Sequence, residues 1–441
     1  MSITKTKQTK TKYASRYKTK KLTKKQSKTL RIIFQHSPSL ENDATIYKTE
    51  FLKQGYKVEY KLIDSILHNK LESYYDVNLF LEILPFKCKK IFPAKTNLFM
   101  PNNELFIDTK EDNKKSSKSY TYNRYEELKS IDYILCKTEI CNKFFNFIKK
   151  EKYRNNIYKY QTIYTKFTSS INKDILQIVD RDVSDDSGDS GYSIDPNLFI
   201  HLAGKSPFKN TPDLVHCWIK NKGFLDIDPD IKLVITCYEH CSKWFNLTLK
   251  RFFNNYDFEK DPDVSMNRKT NTATYKNMTI YFKPITPFNE YINIITKANV
   301  AICISNKEGY GHYINEARYM KKFIITLDYP PMNELVNDKD DKNGNGGNGG
   351  NGGNGGNSNT GGNGIVLKKK NKFRNRTGYY KETKFNFYEA YPDSDELRDS
   401  IIWCIKHKHE LRKYGENGRK MFLDDKNYFE DKMEKFIESK L

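Results

Sequence analysis

Two short apolar runs, Val300–Ile304 and Phe323–Leu327, stand on either side of a stretch with helical spacing, Tyr313 to Lys321. Uninterrupted runs of that length read as buried strands. Strand, turn, helix and strand make one βαβ unit, the repeating piece of a parallel sheet, so this stretch restricts the second half of the chain to an α/β layer fold. Gly309 and Gly311, in Glu308-Gly-Tyr310-Gly-His312, sit where the first strand hands over to the helix. Without a Cβ, glycine lets the backbone approach a ligand and take up positive φ. The helix start directs unpaired N–H groups and its positive dipole end to the same place, which suits a phosphate. Glu308 and Glu316 flank the turn, eight positions apart. At a rise of about 1.5 Å per residue, Glu316 is expected one or two turns beyond the phosphate, at the height of a ribose.

The same alternation extends in both directions. Leu198–Gly204, Ile231–Thr236, Met278–Phe282 and Ile365–Leu367 read as strands. Helices are expected from Thr211, a good N-cap before Pro212, and over Tyr238–Phe252, Asn289–Lys297, Asp395–His407, Leu411–Arg419 and Tyr428–Leu441. In the first half Arg31–Phe34, Tyr56–Leu62, Asp76–Ile83 and Asp132–Cys136 read as strands, with helices over Glu41–Gln54 and Ile140–Lys150. A chain of 441 residues exceeds the roughly 250–300 that one core supports, so two domains are expected. The boundaries read as a basic tail over 1–29, a first domain over 30–170 and an acidic Ser/Gly-rich linker over 171–196. A second domain over 197–425 follows, then a terminal helix over 426–441. Asn102, Asn103 and Glu104, and later Lys137 and Thr138, directly follow apolar runs, and loops at such strand ends line the crevice of a parallel sheet.

The Glu308–Glu316 pair around Gly-Tyr-Gly resembles the glutamate–seven residues–glutamate signature of retaining, nucleotide-sugar-dependent glycosyltransferases with the GT-B fold (family 4, or group 1). Asp328-Tyr-Pro-Pro-Met-Asn-Glu334-Leu-Val resembles the short helix that follows in that family. Gly204-Lys205 with Lys209 four residues on resembles its diphosphate-holding loop, and the Pro-Asn-x-Glu and Cys-Lys-Thr runs resemble a subgroup's first domain. Gln35-His36-Ser37-Pro38-Ser39 departs from the family in having none of the glycines often found there. The resemblance implies two Rossmann-like domains with a deep cleft between them, and transfer of a hexose from a nucleotide diphosphate sugar to a glycan, protein or lipid acceptor. It assigns Glu308, Lys209 and Lys205 to catalysis. Gly204, Lys205, Lys209, Gly309, Tyr310, Gly311 and Glu316 are assigned to the donor, and Asn102, Asn103, Glu104, Lys137, Thr138 and His312 to the acceptor side. It also implies no bound metal or other cofactor; Asp226-Ile-Asp228 and Asp261-Pro-Asp263 read as solvated loops. The terminal helix is expected to cross back onto the first domain.

Net charge is +21, but eleven of the positive charges lie within residues 1–28 and no acid precedes Glu41. That arm is too polar to order itself, and its charge offers weak contact with a polyanion or an anionic membrane surface. No apolar run reaches the roughly 18–20 residues of a membrane span, nor is there a signal-peptide core, which points to the cytoplasm. The eight cysteines form no CxxC pair and read as buried free thiols. Asn343–Gly364 is an Asn-Gly repeat without an apolar side chain, expected as a surface-loop insertion (338–364). Two other functions fit the same residues: a GT-B shell that holds a sugar nucleotide or glycan without turnover, and a nucleic-acid binder working through the basic arm.

Overall fold

The computed structural model describes residues 27–63, 71–85, 87–102, 125–152, 158–181, 193–238, 261–267, 269–306, 308–336, 360–371 and 390–441. Asn103, Glu104, nearly all of the basic arm and of the Asn-Gly repeat, the acidic part of the linker and the body of the helix read from Tyr238 lie outside these residues.

The first unit is a parallel sheet of β1 (Thr29–Phe34), β2 (Lys57–Leu62), β3 (Tyr75–Glu82), β4 (Ala94–Pro101), β5 (Tyr133–Cys136) and β6 (Gln161–Tyr164) in the order β2-β1-β3-β4-β5-β6. Side chains alternate across it. Ile32, Leu79 and Leu98 enter one core, while their neighbours Ile33, Phe80 and Phe99 enter a second core on the opposite face. Burial on both faces is why these strands read as continuous apolar runs. Helix α1 (Pro38–Lys53) starts three residues before the expected Glu41, because Ser37 Oγ accepts the Leu40 N–H at 3.3 Å. Helices α2 (Cys88–Ile91) and α3 (Glu139–Phe147) follow. Part of the stretch expected as linker is a helix, α4 (Lys173–Arg181), with Ile175 and Val179 in the core.

The second unit contains β7 (Asp195–Gly204), β8 (Lys232–Cys237), β9 (Val264–Asn267), β10 (Thr272–Tyr275), β11 (Met278–Tyr281), β12 (Ala298–Cys303), β13 (Phe323–Leu327), β14 (Thr360–Gly361) and β15 (Gly364–Leu367). Their order is β14-β15-β13-β12-β7-β8-β11-β10-β9, parallel from β15 to β11 and antiparallel at both edges. Around it lie α5 (Thr211–Lys220), α6 (Phe288–Lys297), α7 (His312–Tyr319), α8 (Met332–Val336) and α9 (Ser394–Lys406). A small antiparallel ladder pairs β16 (Lys369–Asn371) with β17 (Ala390–Pro392).

The two C-terminal helices expected from the sequence are one helix, α10 (Leu411–Lys440), of 30 residues. A Cβ built on Gly415 would stand 1.9 Å from the Lys321 carbonyl oxygen, so only glycine allows α10 this close to the end of α7. Further along, Phe429 packs on Tyr47 and Phe167, and Phe436 on Tyr133 at 5.2 Å. The helix thus returns to the first unit, and one apolar core runs through the junction. No helix among the described residues is long and apolar enough to cross a membrane. The seven described cysteines are all buried and free.

Candidate functional site

In the second sheet the chain runs from β7 outward through β8 and β11, then returns to the other side of β7 with β12 and β13. Strand order therefore reverses between β7 and β12, and in open parallel sheets the ligand crevice lies beyond the carboxyl ends at such a reversal. Two loops leave the sheet there, one from β7 to α5 and one from β12 to α7. They are stitched together: Asn306 N–H donates to the Phe208 carbonyl at 2.7 Å, and Asn210 Nδ2 donates to Ile304 and Ala390 carbonyls at 2.9 and 3.0 Å.

Lys209 on the first loop and Glu308 on the second meet at 2.5 Å (Nζ to Oε2). The two side chains keep 12% and 17% of their surface exposed, so the pair is sheltered but open to a ligand. Lys209 Nζ also stands 3.5 Å from the ring centre of Tyr313, a cation–π contact that fixes the ammonium over the first turn of α7. Ser305 Oγ donates to Glu308 Oε2 at 3.3 Å and shares a 2.6 Å hydrogen bond with Tyr313 OH. Among the described residues Oε1 of Glu308 receives no hydrogen bond, which leaves one carboxylate oxygen for a hydroxyl.

Gly311 caps α7 with φ 105°, a conformation costly for any residue with a Cβ. A Cβ on Gly309 would come within 2.7 Å of Asn102 Nδ2, so the turn touches the loop after β4 of the other sheet. Glu316, one helical turn past His312, is half-buried, and burial pushes its carboxyl above the usual range against the opposing charges of His312 and Lys209. Among the described residues nothing pairs with it. Lys205 follows Gly204 (φ +55°) at the end of β7 and is exposed.

Two expectations are corrected here. The N-cap of α5 is Asn210, in the left-handed region, and Thr211 is the first helical residue. The reason is His201 on β7: its Nδ1–H donates to the Ile302 carbonyl at 2.8 Å, so Nε2 must accept the Thr211 hydroxyl at 2.9 Å. Burial lowers that imidazole to a pKa of about 4 and keeps it neutral. Tyr310, assigned to the donor, turns inward: its hydroxyl donates to the Phe167 carbonyl and accepts Asn315 Nδ2 at 2.7 Å. Its ring fills the junction core between Phe167 and His312.

Across the junction, the acceptor-side residues are engaged by groups the sequence did not point to. Asp43 on α1 binds Lys137 Nζ at 2.6 Å and His312 Nε2 at 2.8 Å, and Ser169 Oγ meets His312 Nδ1 at 2.8 Å. Lys137 and Asp43 are 5% and 1% exposed. Burial would raise the Asp43 carboxyl, but Lys137 and His312 hold it below its usual value. Thr138 caps α3, accepting the Cys141 N–H at 3.3 Å. At the same helix start the Glu334 carboxylate of the second unit accepts the N–H groups of Glu139 (2.8 Å) and Ile140 (3.0 Å). Glu82, at the end of β3 and with φ 59°, lies within the field of Lys137, Asp43, His312 and Glu308, and burial raises its carboxyl. Its position beside the β1/β3 reversal of the first sheet could have marked it; an isolated Glu after an apolar run did not.

No protein-family model matches the chain, and no curated protein matches it. Solved structures do. A sucrose-phosphate synthase from Thermosynechococcus elongatus aligns over 93% of this chain and 98% of its own, at 9% identity and a TM-score of 0.52. A trehalose-6-phosphate synthase, studied with bisubstrate glycomimetics for glycosyl transfer with retention, gives the same coverage, identity and score. The pneumococcal O-GlcNAc transferase GtfA, bound to UDP and GlcNAc, aligns over 82% of this chain at 12% identity with a TM-score of 0.44, and the chain spans 56% of GtfA's length. With two parallel sheets joined through a helix that crosses back, and with the first two of these alignments running nearly end to end, the chain has the GT-B glycosyltransferase fold.

Proposed function

We propose that this protein is a glycosyltransferase that moves a hexose from a nucleotide diphosphate sugar to an acceptor with retention at the anomeric carbon. The observation that carries the reading is the Lys209–Glu308 pair, set at the strand reversal beside the glycine-capped start of α7. In that reading the diphosphate lies against the N–H groups of the Gly309–Gly311 turn and the first turn of α7, with Lys209 at its side. When the bond from the anomeric carbon to the phosphate oxygen breaks, the leaving diphosphate gains negative charge, and a fixed ammonium and helix dipole stabilise that charge as it develops. The acceptor hydroxyl forms the new bond from the face the diphosphate leaves, and its proton passes to the departing phosphate oxygen. Glu308 holds a hydroxyl of the transferred sugar through Oε1, and Glu316 receives the ribose hydroxyls. Gly204 and Lys205 line the outer side of the diphosphate. Asn102 and Glu82 face the acceptor, with Lys137, Thr138 and His312 supporting that wall from behind. Because lysine and the helix start supply the positive charge, the reaction is proposed to run without a metal.

A panel of UDP-, GDP- and ADP-hexoses incubated with the purified chain tests this through release of free nucleoside diphosphate. One donor should be turned over, with unchanged rate in EDTA, and Glu308→Gln and Lys209→Ala should each lower the rate about 100-fold or more. Saturable donor binding with no release from the wild-type chain would identify a binding shell, not an enzyme. Loss of activity in EDTA would remove the metal-free assignment alone.

A further inference from the structure

Strand β2 ends the first sheet on one side, and among the described residues it pairs only with β1. The Lys57 N–H donates to the Lys28 carbonyl at 2.8 Å, and the Ile63 N–H to the Phe34 carbonyl at 2.9 Å. Backbone groups alternate in direction along a strand. Those of Lys57, Glu59, Lys61 and Ile63 therefore turn to β1, and those of Val58, Tyr60 and Leu62 turn to the outer edge. Such an edge is a template for a further strand. Large apolar side chains stand exposed around it: Tyr60 and Leu62 on the strand, and Leu52 on α1, one turn past the Lys48 ammonium that lies over the Tyr60 ring.

The sequence of β2, Lys57-Val-Glu59-Tyr-Lys61-Leu62, is complementary to a second copy of itself in one register. In an antiparallel pair centred on Tyr60, Tyr60 meets Tyr60, Val58 meets Leu62, and Glu59 meets Lys61. Val58, Tyr60 and Leu62 carry the edge-facing groups, so each of their pairs exchanges two hydrogen bonds. Glu59 and Lys61 fall on the alternate positions, where opposed Cα atoms are about 4.5 Å apart and side chains are closest. Sliding by two residues, the smallest shift that keeps the edge-facing groups paired, sets Glu59 on Glu59 and Lys57 on Lys61 in one direction. In the other it sets Lys61 on Lys61, and like charges directly opposite are unfavourable. Within one chain Glu59 is held by Lys57 at 3.8 Å and by the Tyr75 hydroxyl, and Lys61 by Glu72 at 2.9 Å, so the added contacts extend a ladder of alternating sign.

We infer that β2 joins a second copy of this chain, antiparallel about a two-fold axis at Tyr60, so that the two first sheets become one continuous sheet. The contact uses the same patch on both copies and closes at a dimer. Each basic arm reaches β1 beside Lys57, so antiparallel pairing puts the two arms at opposite ends of the joined strands. At about 3.4 Å per residue that is about 20 Å or more, beyond the screening length of about 8 Å at physiological salt, and the arms oppose the contact little. The contact does not depend on glycosyl transfer.

The test is sedimentation equilibrium of the full chain at physiological salt, up to about 100 μM. The expected mass at the upper end is twice the chain's 52.0 kDa, falling toward 52.0 kDa on dilution. The Glu59 and Lys61 side chains are 51% and 43% exposed, so reversing either charge leaves the fold intact. Glu59→Lys and Lys61→Glu, each alone, set like charges opposite one another and should weaken self-association at least tenfold. Mixed in equal amounts, the two variants should form a heterodimer about as tight as the wild-type dimer, because every opposed pair again has opposite sign. A wild-type chain that stays at 52.0 kDa would overturn the assignment. So would a dimer unaffected by either single variant, a mixture that stays monomeric, or a dimer lost when residues 1–26 are deleted, which would make the arm the contact.

Discussion

The carboxyl ends of the two sheets face each other, and they use their charges in opposite ways. At the second sheet Lys209 and Glu308 pair in a sheltered opening, one carboxylate oxygen still available and Glu316 standing alone beside them. At the first sheet Asp43, Lys137 and His312 form a dry cluster whose members occupy one another, with Ser169 closing the imidazole's other side. One end leaves its polar groups partly open and the other uses them to join α1, the end of β5 and α7. A buried ion pair that loses one partner leaves an uncompensated charge, whereas a partly exposed pair that does so is rescued by water. Substitution at the two ends should therefore separate stability from activity.

The largest effect tests that division directly. Asp43→Ala strands the Lys137 ammonium in the junction core and should lower stability by about 3–5 kcal/mol. Lys137→Met added to Asp43→Ala should restore part of the loss, since no ammonium then remains in the junction core without its Asp43 carboxylate. Glu308→Gln, by contrast, should move the denaturation midpoint by the equivalent of under about 1 kcal/mol while removing turnover. The measurement is urea unfolding of the four proteins; an Asp43→Ala chain as stable as wild type would show that the junction cluster is solvated and the contrast false.

The two ends also differed in how far the sequence disclosed them. Strand β12, the glycine turn and α7 occupy adjacent stretches of chain, so the apolar runs and helical spacing around Gly309 and Gly311 marked this end of the second sheet, while Lys209 was singled out only by the resemblance of its loop to the family's. The cluster at the first sheet joins residues 94 and 269 positions apart in sequence, Asp43 with Lys137 and Asp43 with His312. No local pattern encodes such a distance, and Asp43 inside an otherwise ordinary helix gave no sign of it. Tyr310 was misread for a related reason: an aromatic between two glycines looks exposed until Phe167 and Asn315 arrive from elsewhere in the chain. The β10–β11 hairpin was legible in principle, since Thr272-Ala-Thr-Tyr275 has strand composition and Lys276-Asn277 is a two-residue turn before β11. The two C-terminal helices expected over Leu411–Arg419 and Tyr428–Leu441 are one helix, because the stretch between them continues it with only Phe422 buried as an apolar residue, too sparse a pattern to show a period.

A second effect, of about the same order, sharpens the contrast from beneath the opening. His201 supports both loops as a neutral imidazole, bonded to Ile302 and Thr211. Its folded pKa of about 4 lies below the unfolded value of 6.5. The unfolded chain therefore binds this proton first as pH falls, so the stabilisation is complete above pH 6.5 and is lost progressively down to about pH 4, by roughly 3 kcal/mol. His201→Gln keeps a donor for Ile302 and an acceptor for Thr211 without the titration. Urea midpoints of wild type and variant across pH 7.5 to 4 should converge as pH falls; parallel curves would mean the imidazole is not buried as a neutral base.

The smallest effect concerns a contact by which the two ends grip each other outside the cluster. Glu334 on α8 puts both carboxylate oxygens on the N–H groups that open α3, a charge placed at the positive end of a helix dipole in the opposite unit. Replacing it with glutamine keeps one acceptor and removes the charge, so Glu334→Gln should cost about 1 kcal/mol or less in stability. Its informative readout is donor affinity rather than unfolding. If the grip holds the units in the arrangement that assembles Asn102 against the Gly309 turn, loosening it makes the donor's binding energy do the closing, and the apparent donor KM rises several-fold with kcat little changed. An unchanged KM with the same loss of stability would mean that α8 merely caps α3, and that the opening at the second sheet is complete without help from the first.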